Sequence, residues 1–201
     1  MPERDDLPPS QAQTRSQRRA ERDARHRQME QRYHKNRQRN VLARPGRHSF
    51  ALVLDNLKAG YNVPKIFRST QAFSGAEVHL VNIGVFDPAA SKGAFRKVPA
   101  RFHERFEQAY RALKDAGYTL YALTADGADE LPRTALAEKS AFIVGHEEFG
   151  LSFDPADYPD IRTLAIPLPG EMESLNASIA ASIVMYEYVR QQEDRQSGPE
   201  T

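Results

Sequence analysis

Asn62 and Arg68 are the first residues of the chain whose types and spacing could do chemistry. They lie six residues apart in the segment 54–68. If Asn62 caps a helix, Arg68 projects from its second turn. An arginine there could clamp a phosphate or stabilise a developing oxyanion. A surface arginine on an ordinary helix is the more frequent explanation for this segment taken alone.

Two later segments contain further polar residues at places where a ligand could bind. In segment 145–152, Glu147 lies between glycines, which let backbone amides approach a ligand closely. In segment 166–181, Ser174 and Asn176 lie at the predicted start of a helix, where unpaired N–H groups collect. The simpler interpretations are a glycine-bounded turn and a helix cap. Segment 145–152 is neither a Walker A loop nor a dinucleotide-binding fingerprint.

Apolar runs and amphipathic stretches predict the elements that would position these segments. Strands are predicted at 49–54, 77–81, 118–123, 141–144 and 163–166. Helices are predicted at 62–75, 99–116 and 174–190, the second with Phe102, Phe106, Tyr110 and Leu113 on one face. This order favours an α/β fold with a mostly parallel sheet and helices on both faces. Ligands of such sheets bind beyond the carboxyl ends of the strands, where the polar segments fall.

Composition excludes several kinds of protein. The chain has 201 residues and no cysteine, which excludes a disulfide framework, a thiolate nucleophile and cysteine-based metal sites. It has no apolar run of the ~18 residues that span a membrane. Its first residues lack the basic start and apolar run of a signal peptide. We therefore expect a cytoplasmic protein that does not associate with a membrane.

The charge is unevenly distributed along the chain. Residues 1–50 carry a net charge of +7, from 13 Lys and Arg against 6 Asp and Glu, and the remainder carries −6. This predicts a basic, arginine-rich N-terminal extension over 1–47, a folded domain over 48–190 and a polar tail over 191–201. Within the extension, residues 1–14 are expected to be disordered, and residues 15–40 are expected to favour a helix. An acidic partner, with nucleic acid first among candidates, is favoured over a simple solubility tail.

Taken together and in this order, the three segments resemble a known set of motifs. Asn-x5-Arg, Gly-x-Glu-x-x-Gly-Leu-Ser and Ile-Pro-Leu…Ser-Leu-Asn-x-Ser are similar to the three motifs of the SPOUT superfamily. The likeness is greatest to the TrmH (SpoU) family of RNA ribose 2′-O-methyltransferases, and it covers about residues 50–190. It implies a C-terminal trefoil knot, S-adenosylmethionine as cofactor, tRNA or rRNA as substrate, a homodimer, and no metal.

The resemblance also implies roles for individual residues. Arg68 would help to activate the ribose 2′-hydroxyl, and Asn62 would support it. Arg68 could act as a cation that stabilises the oxygen's growing negative charge, which we favour, or as a base. Glu147, Ser174 and Asn176 would complete the polar site. The cofactor would be held by backbone groups around Leu123, Thr124, Gly145, Ile166, Leu168 and Leu175.

The sequence departs from the family pattern at three positions. Pro64 stands where the family often has Gly, His146 where Asn or a small polar residue is common, and Glu148 where Gly or Lys is often found. These departures keep open an alternative, a non-catalytic RNA-binding protein of the same fold in RNA or ribosome maturation. A third hypothesis, a SPOUT methyltransferase that acts on a base, is disfavoured by the order of the motifs.

Overall fold

A seven-stranded parallel sheet organises the protein. The computed structural model describes residues 15–197, and the strand order is β3-β2-β1-β6-β4-β7-β5, with every registered pair parallel. The strands are β1 His48–Asp55, β2 Gly75–Val81, β3 Ala100–His103, β4 Thr119–Leu123, β5 Asp129–Glu130, β6 Ser140–Val144 and β7 Arg162–Ala165. The helices are α1 Arg15–Asn40, α2 Asn62–Ala72, α3 Phe106–Asp115 and α4 Ala177–Gln196. All five predicted strands are confirmed.

The sheet is covered on both faces, as predicted for an α/β fold. Along β1, Phe50, Leu52 and Leu54 belong to a large apolar cluster that includes residues of α2 and α4. The alternate residues Ala51 and Val53 belong to a smaller cluster with α3. Because successive side chains of a strand point to opposite faces, one continuous apolar run supplies both cores.

The predicted helix over 99–116 is wrong in its first part. Residues 100–103 form β3, which pairs with the outer edge of β2, and α3 begins only at Phe106. Phe102 therefore lies on a strand opposite Leu80 rather than on a helix face. Pairing with β2 is a long-range interaction that helical periodicity does not reveal. Gly117, with φ +81°, follows the end of α3 as predicted.

The starts of α2 and α4 also differ from prediction. Asn62 is the first residue of α2 and makes no capping bond, because its side chain reaches another loop. Helix α4 begins at Ala177, not Ser174, because Asn176 caps it by accepting a hydrogen bond from Ser178 N at 3.0 Å. It continues to Gln196, so residues 191–196 of the predicted polar tail are helical.

The C-terminal half of α1 packs against the body of the protein. Tyr33 is 2% exposed and packs against the rings of Phe86 and Phe95. Asn40 is buried, donates to the Val98 carbonyl at 2.7 Å and accepts from the Ala100 amide at 2.9 Å. Residues 17–28 of the same helix are all exposed. The charge pattern did not indicate the packed half. The predicted disorder of residues 1–14 falls outside the described residues.

None of the helices within residues 15–197 is both long enough and apolar enough to cross a bilayer.

A buried histidine chain links β2 to β3. His79 Nδ1 lies 3.0 Å from His103 Nε2, and its Nε2 lies 3.1 Å from Glu77 Oε1. The hydrogen bond with His79, assisted by Arg101, lowers the pKa of Glu77 to about 2 against the opposing effect of burial. Burial, together with the neighbouring His79, lowers the pKa of His103 to about 4. The fold therefore keeps His103 neutral and Glu77 ionised.

We expect the hydrogen-bonded residues Glu77, His79 and His103 to make the protein lose stability in two steps as the pH falls. Both pKa values are depressed by folding, so the unfolded state takes up protons first as the pH falls. The contribution of His103 is lost between pH 6.5 and about 4, and that of Glu77 between pH 4.5 and about 2. Thermal unfolding across this range measures the loss. The variant His103→Gln should flatten the first step, and an equally steep decline in that variant would contradict the assignment.

Candidate functional site

The carboxyl ends of β4, β6 and β7 open into one cavity of about 800 Å³. Its walls come from the segments that follow these three strands and from the first turn of α4. This volume is in the range of small-molecule sites, and the position is the one expected for a parallel α/β sheet.

Most of the residues that the sequence singled out meet in this cavity. All six predicted cofactor-binding residues line it, and so do three of the five predicted catalytic residues. The nine are Leu123, Thr124, Gly145, Glu147, Ile166, Leu168, Ser174, Leu175 and Asn176. The structure thus brings together segments that are up to 53 positions apart in the chain.

Two glycines allow the cavity walls to approach each other. A Cβ atom on Gly145 would lie 2.6 Å from the carbonyl carbon of Gly150, and one on Gly127 would lie 2.6 Å from the Ala165 amide nitrogen. The loop after β6 is closed by a pair of backbone hydrogen bonds between His146 and Gly150, at 2.7 and 2.9 Å. Gly150 itself has φ +70°, which favours glycine.

Asn62 and Glu147 join the start of α2 to the loop after β6. The Asn62 amide donates a hydrogen bond to the Glu147 carboxylate, which also accepts from the Lys58 amide at 3.4 Å. Burial acts to raise the pKa of Glu147, but hydrogen bonds from its own backbone amide, Asn62 and Lys58 outweigh it, and the pKa is lowered. Among the described residues, the buried Asn62 Oδ1 has no hydrogen-bond partner. Asn62 itself lines neither the cavity nor the other described hollows.

Arg68 lies apart from the cavity of its own chain. It is exposed and lines a second hollow of about 840 Å³ between α2 and α4, together with Phe73, Ile179, Ile183 and Tyr186. Within residues 15–197 its guanidinium forms no ion pair. The first turn of α4 separates the two hollows, since Ala177 and Ala180 face the cavity while Ser178 and Ile179 face the groove.

Asp55, which no sequence pattern singled out, fastens the loop after β6. It is fully buried at the end of β1 and accepts hydrogen bonds from Ser152 N at 2.6 Å and Ser152 Oγ at 2.7 Å. Burial raises the pKa of this carboxyl, and the two bonds from Ser152 only partly oppose the rise. The polar segment after β1 was a signal for a site, but nothing local showed where Asp55 points.

The variant Asp55→Ala is expected to lower the free energy of unfolding by about 1–3 kcal/mol, because the two hydrogen bonds from Ser152 to the buried carboxylate are lost. The variant Asp55→Asn should lose less, because an amide can accept from Ser152 N and donate to Ser152 Oγ. Urea unfolding of both variants measures the difference. Equal losses would show that Asp55 does not act through these hydrogen bonds.

The cavity is lined by acidic side chains. Asp126, Glu130, Glu147 and Glu173 contribute carboxylates, and no lysine or arginine appears in the described part of its lining. Such a site favours a cationic ligand. Over residues 15–197, no group of three or more His, Cys, Asp or Glu side chains is arranged to hold a metal ion.

The fold and site define a parallel α/β protein with a small-molecule cavity built by three separate loops. The model of the SpoU rRNA Methylase family matches residues 49–186, and the chain belongs to this family. The chain is 30% identical over 145 residues to the tRNA (guanosine(18)-2′-O)-methyltransferase of Thermus thermophilus, covering 70% of this chain and 74% of the relative.

Solved structures are similar over the same region. A structure that gives insights into the 2-OH methylation of C/U34 on tRNA aligns with a TM-score of 0.63 and 27% identity, covering 74% of this chain and 99% of that chain. The SpoU methyltransferase AviRb from Streptomyces viridochromogenes, solved in complex with the cofactor AdoMet, aligns with a TM-score of 0.65 and 25% identity. That alignment covers 77% of this chain and 64% of that chain.

Proposed function

We propose that this protein is an S-adenosylmethionine-dependent methyltransferase that modifies a ribose 2′-hydroxyl of tRNA or rRNA. The observation that carries the proposal is the cavity at the carboxyl ends of β4, β6 and β7, which nine of the eleven motif residues line. Family membership, a 2′-O-methyltransferase relative and a similar structure with bound AdoMet support it.

The cavity fits the cofactor in size and charge. S-adenosylmethionine carries a sulfonium and an ammonium group, which suit the carboxylates of Asp126, Glu130 and Glu173. The apolar side chains of Leu123, Ile166 and Leu168 would contact the adenine. Backbone groups of the three loops would form hydrogen bonds with the polar edges of the adenine. The cofactor supplies a methyl group that its sulfonium already activates, so the chain has to provide alignment and charge stabilisation.

Arg68 would activate the ribose 2′-hydroxyl, and Asn62 would support it. A hydroxyl oxygen gains negative charge as its proton leaves, and the Arg68 guanidinium would stabilise that charge. Asn62 would support the site indirectly, because its amide holds the carboxylate of Glu147, which lines the cavity. Ser174 and Asn176 are placed at the cavity rim, where they would orient the nucleotide.

A homodimer would unite Arg68 with a cavity. The groove that contains Arg68 carries the exposed apolar side chains Ile179 and Tyr186, which are 51% and 59% exposed. Burial of such a face by a second copy is favourable. We therefore propose that each active site combines the cavity of one copy with Arg68 of the other.

The trefoil knot implied by the motifs is also part of the proposal. Strand β6 is inserted between β1 and β4, which both precede it, and the chain then returns to the far side of β4 as β7. This order supports threading of the C-terminal segment, although general topology rules disfavour knots.

Two departures from the family pattern fit the structure and support activity over the non-catalytic alternative. Pro64 is the third residue of α2, where its missing N–H costs little. His146 Nδ1 accepts hydrogen bonds from the amides of Glu148 and Phe149, at 3.0 and 3.3 Å. Pro64 is thus compatible with α2, and His146 stabilises the turn that follows Glu147.

The proposed activity is tested with methyl-labelled S-adenosylmethionine and unmodified tRNA and rRNA transcripts. A labelled 2′-O-methylated nucleoside is the expected product. A labelled base would instead identify a base methyltransferase. Absence of both label and cofactor binding would favour the non-catalytic RNA-binding alternative.

The exposed half of α1 is proposed to bind the RNA backbone. It carries Arg18, Arg19, Arg22 and Arg25 within the exposed stretch 17–28. Arginine suits phosphate contacts because its planar fork can bind two oxygens. Deleting all of residues 1–47 would also remove Tyr33 and Asn40, which are packed against the body, so substitution is the cleaner experiment.

Replacing these four arginines with glutamine should weaken RNA binding and flatten its salt dependence. Removing one arginine–phosphate interaction reduces the slope of log K against log salt by about 0.7–0.9, so the slope should fall by up to about 3.6. Glutamine retains helix propensity. Binding isotherms at several salt concentrations measure the slope. A control variant removes four positive charges from the body at Arg111, Arg133, Lys139 and Arg190. An unchanged slope in the α1 variant would leave α1 as a solubility element.

A further inference from the structure

Two exposed aromatic rings lie on two loops that meet beside the cavity, the turn before α2 and the loop after β6. Tyr61 is 75% exposed and Phe149 is 77% exposed, although side chains of this size are usually buried to a large extent. Tyr61 directly precedes Asn62, and Phe149 follows Glu147 and Glu148. The Asn62–Glu147 hydrogen bond and the Lys58–Glu148 ion pair at 2.6 Å tie the two loops together. Both rings are therefore anchored beside the same junction.

Phe149 is held in place despite its exposure. The His146 ring packs against it at a centroid distance of 4.7 Å, with an angle of 31° between the ring planes. The Phe149 amide donates to His146 Nδ1, and the next residue, Gly150, is paired with His146 through two backbone hydrogen bonds. One side of the ring is covered by His146, and the turn presents the rest to solvent. Little conformational entropy remains to be lost when a ligand stacks on it.

The ring of Tyr61 has a positively charged side chain packed over it. The Lys65 ammonium lies 4.0 Å from the centroid of the Tyr61 ring. A flat ring and a cation at one place match the two chemically distinct parts of a nucleotide, its base and its phosphate.

We propose that Phe149 and Tyr61 are stacking platforms for unpaired bases of the RNA that flank the ribose in the site. The occupant is RNA because Phe149 lies in the loop between the cavity-lining residues Glu147 and Gly150, Tyr61 precedes Asn62, which bonds to that loop, and Lys65 adds a cation. A second copy of the chain is better accommodated by the groove of Ile179 and Tyr186 on α2 and α4. The inference rests on the proposed function and defines its substrate class. Stacking needs an open base face, so the substrate is a loop or single strand and not a continuous duplex.

Binding is tested with a short RNA hairpin that carries 2-aminopurine in its unpaired loop and with a fully paired RNA duplex. In Phe149→Ala, affinity for the hairpin is expected to fall by about 5- to 150-fold, the range for loss of one base–aromatic stack. Affinity for the duplex and for S-adenosylmethionine should stay at the wild-type level. Phe149→Trp should restore hairpin affinity and quench the 2-aminopurine fluorescence, whereas Phe149→Leu should not. Tyr61→Ala should show a loss of the same kind.

The outcomes separate this inference from the proposed function. Wild-type hairpin affinity in a correctly folded Phe149→Ala variant, or equal losses for hairpin and duplex, would overturn the stacking role. A shift from dimer to monomer on sedimentation of Phe149→Ala would overturn it as well, because the ring would then cover a protein interface. Failure of the wild-type protein to methylate any ribose would instead refute the proposed function, even if stacking were observed.

Discussion

Replacing Arg68 with alanine is expected to reduce methyl transfer by at least about a hundredfold, the range for removal of one group that stabilises developing charge. The protein should still fold and bind S-adenosylmethionine, because Arg68 is exposed and does not line the cavity. Single-turnover rates and calorimetry measure the two effects separately. The control Arg111→Ala removes an exposed arginine from α3, on the other face of the sheet. Near wild-type turnover in Arg68→Ala would refute the role of Arg68.

Mixing two inactive variants tests whether Arg68 acts across a dimer. One chain carries Arg68→Ala and the other carries Gly145→Ala, which distorts the cavity. After subunit exchange, mixed dimers should each contain one complete site, so activity should recover to about a quarter of the wild-type value. No recovery, with exchange verified by mass, would mean that Arg68 serves the cavity of its own chain.

The second large effect is expected from Gly145→Ala. The added Cβ would lie 2.6–2.8 Å from backbone atoms of Gly150 and Leu151, so the loop that carries Glu147 must move. Overpacking of this kind costs about 1–3 kcal/mol, and a cavity wall is displaced. We expect affinity for S-adenosylmethionine to fall at least about tenfold and transfer to fall further. Isothermal titration of the cofactor measures the first effect.

A matched control lies in the loop before α4. A Cβ atom added to Gly170 would have no neighbouring atom within 4 Å, and this residue needs no positive φ, so Gly170→Ala should leave cofactor affinity unchanged. If Gly145→Ala bound the cofactor as tightly as Gly170→Ala does, the close approach of the loop would not matter for binding.

The amino-acid sequence was sufficient to predict the parallel sheet, its two covered faces and the edge at which the polar loops meet. The apolar run of β1 indicated a strand buried on both sides, and polar loops after parallel strands must meet at one edge of the sheet. Leu123, Gly145 and Ile166 therefore lie in one cavity although they are far apart in the chain. Each of the three lies at or directly after the carboxyl end of a strand, so its position follows from the strand pattern. Their role in cofactor binding stays a prediction.

Interactions between partners distant in sequence depended instead on tertiary packing. Residues 100–103 became β3 because the edge of β2 was free to pair, which overrode a helical pattern. Asn62 donates a hydrogen bond to Glu147 instead of capping α2, and Asp55 accepts one from Ser152. Both depend on how the loops pack, because packing sets the direction of each side chain. Arg68 was placed with Asn62 by spacing, but the packing of α2 on α4 turned it into a separate groove. Local spacing fixes which residues are near in the chain, whereas packing fixes which surface each side chain reaches.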